Sequence, residues 1–259
     1  MITLRGFDEL KRMDRACAIV HDAIDAAAKA IEPGVTTEDL DRIAEKVIRD
    51  AGARPAFVGY RGYPKTLCVS VNDEVVHGIP GKRKLAAGDI VGIDCGAVVE
   101  GYFGDAARSF PVGKVRPEAL RLLADTRESL ARGIEAARPG RRISDIGAAV
   151  EEFAAPRGYG IVREFVGHGV GTALHEEPQV PNYGPGGRGP VLKEGMVIAI
   201  EPMLNLGTSR VSIQRDGWTV KTQDGKWSAH FEDTIAIGAE GPVVLGMGEL
   251  ERLGTAVSA

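Results

Sequence analysis

The 259-residue chain has few aromatic residues, few cysteines and no long apolar run. Aromatic residues make up 5 % of it, and its three cysteines are Cys17, Cys68 and Cys95. This odd number, without a C-x-x-C spacing, argues against a structural zinc finger and fits a reducing compartment. No stretch reaches the roughly 18 apolar residues of a membrane span, and residues 1–14 lack the apolar core of a secretory signal. We therefore expect a soluble, cytoplasmic protein with no membrane partner.

Charge of one sign does not dominate the sequence. The net charge is −4, from 36 acidic and 32 basic residues. This balance provides no standing basic surface, so we expect no nucleic-acid binding by the chain itself. A local patch can differ from the average, which leaves a transient ribosome contact open. The 44 % apolar content suits one sizeable core, and we expect a monomer.

Two amphipathic helices are predicted near the start of the chain. Apolar residues recur at steps of three and four between Leu10 and Ile31, which keeps them on one helical face. We expect this helix to begin near Asp8 and to end before Pro33. The capping-box sequence at 36–39 predicts the start of the second helix.

The sequence changes to short strands over residues 64–112 and then repeats its pattern. Further helices are expected at 117–138 and 144–155. Two features recur in the same order: Pro33-Gly34 as Pro139-Gly140, and Leu85-x-x-Gly88-x-Ile90-x-x-Ile93-Asp94 as Leu192-x-x-Gly195-x-Val197-x-x-Ile200-Glu201. Chance similarity of two unrelated α/β segments is the alternative. The repeat predicts one domain, 1–259, built from two αα-plus-strand halves (roughly 8–112 and 117–245) with the functional site between them.

A pair of aspartates is predicted to lie on one face of a hairpin. Glu100-Gly101 is typical of a two-residue turn, and pairing outward from it sets Gly96 opposite Asp105. Asp94 is then diagonal to Asp105 on the same face, roughly 7–8 Å away at the backbone. Both carboxylates could therefore hold one ion or an adjacent pair of ions. The alternative is two solvated carboxylates at a sheet edge.

Two histidines and two glutamates extend this candidate site. His168 lies among glycines, and His175 follows it in the same loop-like segment. Their spacing differs from the i, i+4 pair of a helical H-E-x-x-H zinc site, so a metal site would have to be assembled from several strands. Glu201 ends an apolar strand before Pro202, and Glu232 interrupts the run Phe231-x-x-Thr234-Ile235-Ala236-Ile237. Each of these residues alone is as compatible with a structural role.

Together these segments resemble the methionine aminopeptidases, from about Leu10 to Leu245. The segments that carry the resemblance are Gly62-Tyr63-Pro64-Lys65, His77-Gly78-Ile79-Pro80, Ile93-Asp94, Gly104-Asp105, Gly167-His168-Gly169-Val170-Gly171, His175-Glu176-Glu177-Pro178, Ile200-Glu201-Pro202-Met203, Asp216-Gly217-Trp218-Thr219-Val220-Lys221-Thr222 and Phe231-Glu232-Asp233-Thr234. The resemblance implies a mixed α/β (α+β) "pita-bread" fold, a pseudo-twofold arrangement around a central antiparallel sheet. This agrees with the internal repeat.

The resemblance also implies a dinuclear metal centre bridged by Asp105 and Glu232. Its ligands would be Asp94, Asp105, His168, Glu201 and Glu232. Four carboxylates would balance the charge of two divalent ions. One nitrogen among oxygen ligands suits cobalt, manganese or iron, with zinc and nickel as further candidates. His230 is expected beside these ligands rather than among them, and His21 on the surface of the first helix.

The activity implied by the resemblance is removal of the initiator methionine from nascent proteins with a small second residue. Glu201 would carry the proton from an activated water to the leaving amine. His77 and His175 would hydrogen-bond the substrate and the tetrahedral intermediate. The methionine pocket would be formed by Phe57, Tyr60, Tyr63, Cys68, Leu174 and Trp218, each of which could equally serve in ordinary core packing. Leu174 and Phe57 depart from residues common in this family, so the resemblance defines the shape of the pocket less closely than it defines the metal site.

Two alternative functions share the same fold. X-Pro aminopeptidases and prolidases carry a large N-terminal domain, for which Asp94 occurs too early in the chain. A non-enzymatic relative that binds RNA or proteins would lack metal ligands, whereas all five positions are intact. The short interval between His175 and Glu201 leaves no space for the insertion of type II enzymes, and the short type I form is predicted.

Overall fold

The helices and strands alternate along the chain in the order expected for two αα-plus-strand halves. The computed structural model describes residues 2–253. Its helices are α1 (Phe7–Lys29), α2 (Thr37–Asp50), α3 (Pro117–Ala136) and α4 (Ile143–Ala154), with short 3-10 turns at Tyr60–Gly62, Ala155–Arg157 and Leu250–Leu253. Among residues 2–253, no helix is long and apolar enough to cross a membrane.

The strands are short except for one central hairpin. They are β1 (Arg54–Pro55), β2 (Leu67–Val71), β3 (Glu74–Val76), β4 (Ile90–Val99), β5 (Tyr102–Pro111), β6 (Gly160–Ile161), β7 (Gly167–Gly169), β8 (Glu176–Val180), β9 (Val197–Ile200), β10 (Met203–Asn205), β11 (Val211–Ile213), β12 (Val220–Thr222), β13 (Ser228–His230), β14 (Glu232–Gly238) and β15 (Gly241–Val244). The mixed α/β class is confirmed.

The first two helices form where the sequence predicts them. In α2, the Thr36 hydroxyl accepts from the Asp39 backbone N–H and the Asp39 carboxylate accepts from the Thr36 backbone N–H, which is the predicted capping box. Helix α1 begins one residue before Asp8 and ends at Lys29, short of Pro33. Its buried residues lie on one face, as the periodicity requires.

The largest sheet is antiparallel and is centred on the β4–β5 hairpin. Its main order is β1-β4-β5-β14-β9-β7-β8, with β2 beside β4 and β15 beside β14. The hairpin turns at Glu100-Gly101 and sets Gly96 opposite Asp105, so the predicted register is confirmed. Asp94 pairs with Ala107, which in turn pairs with Glu232. Register alone therefore places three acidic residues on neighbouring strands.

The two halves repeat the same backbone hydrogen bonds. Gly34 N–H donates to the Leu85 carbonyl at 2.8 Å, and Gly140 N–H donates to the Leu192 carbonyl at 2.9 Å. Both glycines have positive φ, +100° and +83°, a conformation that glycine adopts without strain. The repeated Pro-Gly sequences thus make equivalent turns against equivalent segments. This equivalence supports the predicted pseudo-twofold architecture.

Helices cover one face of the sheet in two pairs. Helices α1 and α2 pack on a cluster of β2, β4 and β5 side chains, while α3 and α4 pack on a second cluster with β9 and β14. Asp41 is a buried polar residue at the first interface, where its carboxylate accepts from the backbone N–H groups of Thr66 and Leu67 at 2.9 and 2.8 Å. This contact fixes the start of β2, the strand that carries Cys68.

His21 is not a surface residue of α1, contrary to expectation. Its side chain is 16 % exposed, and its Nε2 lies 3.3 Å from the Leu245 carbonyl and 4.0 Å from Asp233 Oδ1. The apolar periodicity places the helix face correctly but does not show that residues 233 and 245 pack over His21. The prediction was wrong because these contacts come from β14 and from the residue after β15, which are far along the chain.

Candidate metal centre and its cavity

Five strands of the central sheet bring the predicted metal ligands together. Asp94 lies in β4, Asp105 in β5 and Glu232 at the start of β14, while Glu201 directly follows β9 and His168 lies in β7. The ligand atoms of Asp105, His168 and Glu232 lie within 4.8 Å of one another. His168 Nε2 is 3.9 Å from Asp105 Oδ2 and 3.7 Å from Glu201 Oε1. These separations suit side chains that share an ion better than side chains that hydrogen-bond directly.

Several oxygen atoms of this cluster are buried without a partner. Asp94 Oδ1, Asp105 Oδ1 and Glu232 Oε1 have no hydrogen bond within residues 2–253. Buried carboxylates are costly unless they are paired or bind a metal. Within the described part of the chain, the ion-pair distances to this cluster come from imidazoles, those of His168 and His230. Four carboxylates facing one another with a neutral imidazole fit a divalent metal centre.

The pKa values of these groups indicate which of them would hold a proton if no metal ion were bound. Burial raises the pKa of Asp94 to about 7. Burial, followed by the charges of Asp94 and Glu201, raises the pKa of Asp105 well above its usual range. Burial lowers the pKa of His168 to about 3, so its ring is neutral and can donate a lone pair. A divalent ion would displace protons from the carboxylates and reverse their pKa shifts.

Hydrogen bonds to backbone carbonyls hold three of the predicted ligands in place. His168 Nδ1 lies 2.9 Å from the Gly169 carbonyl. Donation to this carbonyl fixes the tautomer in which Nε2 presents its lone pair to the carboxylates. Glu201 is held through its main chain, because Asn182 Nδ2 donates to the Glu201 carbonyl at 3.1 Å. Arg108 Nη1 donates to the Glu232 carbonyl at 2.5 Å.

The cluster opens directly into a cavity of about 400 Å³. Every predicted site residue lines this cavity: Phe57, Tyr60, Tyr63, Cys68, His77, Asp94, Asp105, His168, Leu174, His175, Glu201, Trp218 and Glu232. The carboxylates form one side, and aromatic and aliphatic side chains form the other. A polar centre facing an apolar pocket is typical of a small-molecule or peptide-end site.

The apolar side is a continuous packed cluster. Phe57, Tyr63, Cys68 and Leu174 are buried in it, and Trp218 packs against them. The rings of Tyr63 and Trp218 meet edge to face with centroids 5.0 Å apart. Tyr63 Oη also lies within hydrogen-bond distance of the Leu67 and Gly78 carbonyls, at 2.9 and 3.0 Å. The pocket wall is therefore tied to the segment that carries His77.

His77 and His175, which are not among the predicted metal ligands, lie at different parts of the cavity. The centroid of the His175 ring lies 4.2 Å from that of the His168 ring and 5.2 Å from that of the Tyr60 ring. His77 meets Trp218 edge to face at 6.1 Å and has a positive φ of +60°, which is uncommon for a residue with a side chain. Burial lowers the pKa of His77 to about 4, so its ring is neutral at physiological pH.

His230 lies behind the carboxylates and does not line the cavity. Its Nε2 is buried, 3.6 Å from Glu201 Oε2 and 4.0 Å from Glu232 Oε2. Ser109 fixes its backbone, accepting from the His230 N–H and donating to the His230 carbonyl. Its position beside the predicted ligands agrees with the expectation from sequence.

Several cavity residues were not predicted. They are Arg61, Val76, Glu164, Phe165, Val166 and Gln179. Val76 and Arg61 adjoin predicted residues in sequence, and this adjacency was the available signal. Residues 164–166 lie between strands without a motif, and the structure places the Phe165 ring 5.4 Å from the His77 ring.

Comparisons with known proteins identify the family of the chain. The model of metallopeptidase family M24 matches residues 11–239. A methionine aminopeptidase of Clostridium acetobutylicum is 49 % identical over 246 residues, which cover 95 % of this chain and 98 % of that relative. The structure of methionine aminopeptidase from Thermotoga maritima matches with a TM-score of 0.94 at 43 % identity, covering 95 % of this chain and 99 % of that one. A prolidase from Pyrococcus furiosus matches with a TM-score of 0.77 at 26 % identity, and the chain spans 66 % of its length.

These comparisons distinguish between the two peptidase groups that share the fold. The pita-bread fold is confirmed, since both groups have it. Identity and coverage of the whole relative are higher for the methionine aminopeptidases than for the prolidase. The chain belongs to metallopeptidase family M24 and, within it, to the methionine aminopeptidases.

Proposed function

We propose that this protein removes the N-terminal methionine from peptides and nascent proteins whose second residue is small. The observation that carries the proposal is the junction of an unpaired carboxylate cluster with an apolar pocket in one cavity of about 400 Å³. A peptide whose first side chain enters the pocket would bring its first peptide bond to the carboxylates. The proposal takes residues 1–259 as one catalytic domain that acts as a cytoplasmic monomer, with transient contact to ribosomes.

The proposed metal centre holds two divalent ions, with cobalt, manganese and iron as first candidates. Its ligands would be Asp94, Asp105, His168, Glu201 and Glu232, with Asp105 and Glu232 bridging. Bound divalent ions would lower the pKa of a water and polarise the scissile carbonyl. Support comes from the buried, partnerless oxygens and from the neutral His168 ring.

The chain's own acid–base groups would move and hold the protons. Glu201 is the proposed proton carrier, because its carboxylate faces the cavity and burial raises its pKa well above the usual range. His77 and His175 are proposed to donate hydrogen bonds to the substrate and to the developing oxyanion. The His175 ring lies next to the ligand His168, at the edge of the proposed metal centre.

Selectivity for methionine would come from the apolar side of the cavity. Tyr63, Cys68 and Trp218 pack in one apolar cluster. This cluster would suit an unbranched thioether, which adapts to irregular apolar surfaces and contacts aromatic rings favourably. Phe57 and Tyr60, which precede Tyr63 in sequence, also line this part of the cavity. Leu174 is the aliphatic member of this wall and shares its loop with His175.

Hydrolysis of four peptides after metal removal would test the proposal. The chelated protein is expected to be inactive and to regain activity with Mn(II) or Co(II). Met-Ala peptides should be cleaved, while Met-Leu and acetyl-Met-Ala peptides are spared because the second residue is large or the amine is blocked. Comparable cleavage of a Leu-Pro peptide would favour the X-Pro class. Full activity in demonstrably metal-free protein would overturn the metal requirement, and metal binding without any cleavage would favour a binding protein.

A further inference from the structure

Arg5 lies against the loop of residues 170–175, which carries Leu174 and His175 between β7 and β8. The Arg5 backbone N–H donates to the Gly195 carbonyl at 2.7 Å, which anchors this residue to the second half of the molecule. The Arg5 side chain is only 6 % exposed, an unusual degree of burial for an arginine. A buried arginine requires strong partners, and the loop supplies them.

Arg5 forms a forked ion pair with Glu176, the residue after His175. Arg5 Nη2 donates to both carboxylate oxygens of Glu176, at 2.8 and 2.6 Å. Its Nη1 donates to Glu9 Oε1 in the first turn of α1 at 3.2 Å. Buried, charge-assisted hydrogen bonds of this kind are stronger and more directional than exposed ion pairs. Arg5 therefore connects helix α1 to the loop.

Glu176 in turn holds the backbone of the loop. Its Oε1 accepts from the Thr172 backbone N–H at 2.8 Å and from the Ala173 backbone N–H at 3.1 Å. Both residues are exposed, so the carboxylate is their protein partner in an otherwise solvated turn. The guanidinium of Arg5 also packs onto Gly171, where a Cβ would lie 2.0 Å from Arg5 Nη2. Arg5 therefore contacts the chain at both ends of the loop, at Gly171 and at Glu176.

The position of His175 depends on this loop backbone. Within residues 2–253, the His175 side chain makes no hydrogen bond or ion pair with the protein, and the residue as a whole is exposed. Its neighbours are the His168 and Tyr60 rings, at centroid distances of 4.2 and 5.2 Å. Ring contacts limit the side chain loosely, so the φ and ψ of the loop determine where the imidazole lies.

We propose that Arg5 is a positioning residue that sets His175 and Leu174 through Glu176. This rests on the proposed aminopeptidase function, in which His175 contacts the substrate. Without Arg5, Glu176 would keep the Thr172 and Ala173 bonds but lose its anchor to α1. The loop would then move with its carboxylate, and the imidazole would sample positions away from the reacting bond. Misplacement of a catalytic group by about 1 Å can cost roughly 10²-fold in rate.

The test compares Arg5→Met and Arg5→Lys with two control variants. Arg49→Met removes an exposed arginine whose partner, Glu45 at 2.7 Å, lies on the same helix, away from the cavity. Ile146→Val weakens the buried core beneath α4 and so controls for lost stability. Metal content, kcat and KM on a Met-Ala peptide, and amide hydrogen exchange of residues 171–176 are measured for each protein.

Arg5→Met is expected to keep its metal content, to lose between about tenfold and about a hundredfold in kcat, and to change less in KM. The Thr172 and Ala173 amides should exchange faster than in the wild type. Arg5→Lys should recover part of both effects, because an ammonium keeps the charge but not the fork. The controls should resemble the wild type in kcat and in loop exchange.

Two results would overturn the proposal. Unchanged loop exchange and kcat in Arg5→Met would show that the ion pair does not position the loop. An equal loss of kcat in Ile146→Val would reduce the effect to general stability. If Arg5→Met does not fold, Arg5→Lys decides by the same readouts. An inactive wild type would contradict the aminopeptidase function instead. Amide hydrogen exchange of the loop would then still test whether the Arg5–Glu176 ion pair positions it.

Discussion

The two sides of the cavity are built in different ways. The carboxylate side (Asp94, Asp105, His168, Glu201 and Glu232) lies on or directly beside strands of one sheet. The apolar side (Phe57, Tyr60, Tyr63, Cys68, Leu174 and Trp218) comes from β2 and from loops and turns. The pairing register of the strands determines where the carboxylate side chains lie. The positions of the apolar side chains depend instead on how these side chains pack against one another.

This difference indicates a division of labour. Buried oxygens without partners make the carboxylate side costly without an ion, so its purpose is metal binding rather than stability. The apolar side is well packed and uncharged, so it can select a side chain without affecting the metal. If the two sides have these separate roles, variants on the carboxylate side should change metal binding, and variants on the apolar side should change substrate selectivity.

The largest effect is expected from a variant of the proposed bridging ligand. Asp105→Ala should weaken binding of both ions by more than roughly 100-fold, the upper end of what loss of an outer partner costs, and should abolish activity at metal concentrations that saturate the wild type. Calorimetric titration with Mn(II) measures this. Asp22→Ala, an exposed aspartate of α1, is the control. Retention of two ions by Asp105→Ala would contradict its bridging role.

The neighbouring histidines provide the sharpest contrast. His168→Ala should lose an ion at moderate metal concentration. His175→Ala should bind metal normally but turn over roughly 10²–10³-fold more slowly, since it removes only a donor to the oxyanion. Mn(II) titration beside steady-state kinetics on a Met-Ala peptide separates the two. Loss of an ion by His175→Ala, or an unchanged turnover rate, would show that its assigned role is wrong.

A smaller effect is expected on the apolar side. Leu174→Ala should enlarge the pocket and shift the ratio of kcat/KM for Met-Ala over Leu-Ala peptides by roughly tenfold, the scale of one or two methylene contacts. Metal content should stay at the wild-type value. The measurement is competitive hydrolysis of the two peptides. A change in metal content with an unchanged ratio would reverse the assignment of the two sides.

The smallest effect is a pH dependence of the metal-free protein. The pKa of Asp94 is raised to about 7 from an unfolded value of about 3.9, so its contribution to stability is present at low pH and lost as pH rises through 7. The pKa values of His77 and His168 are lowered to about 4 and about 3, so their contribution to stability is lost at low pH and rises only slightly above about pH 6.5.

Between pH 6.5 and 8 the carboxylates therefore dominate. The free energy of unfolding of metal-free protein should fall in this range by at most about 1.4 kcal/mol per pH unit for each such carboxylate. Urea unfolding at several pH values, with and without Mn(II), measures the slope. Asp94→Asn should flatten it. A metal-free protein that becomes more stable from pH 6.5 to 8 would contradict the raised pKa.

The same division decides what the sequence could predict. The Glu100-Gly101 turn fixes the register of β4 and β5, so the placement of Asp94 and Asp105 follows from two-residue periodicity. His168, Glu201 and Glu232 could be assigned to the site only through the family resemblance, because the local sequence pattern does not predict which distant strands pair. Phe165 and the Arg5–Glu176 pair were not predicted, since contacts of loops and termini depend on the whole packed structure.

Anomalous X-ray scattering from crystals soaked in Mn(II) would show whether the cavity holds a two-ion centre. We expect two manganese peaks at the end of the cavity, within bonding distance of Asp94, Asp105, His168, Glu201 and Glu232, and none against Phe57, Cys68 or Trp218. A single peak would contradict the two-ion centre. An active protein with no peak among these five side chains would show that its activity does not depend on a metal centre at this site.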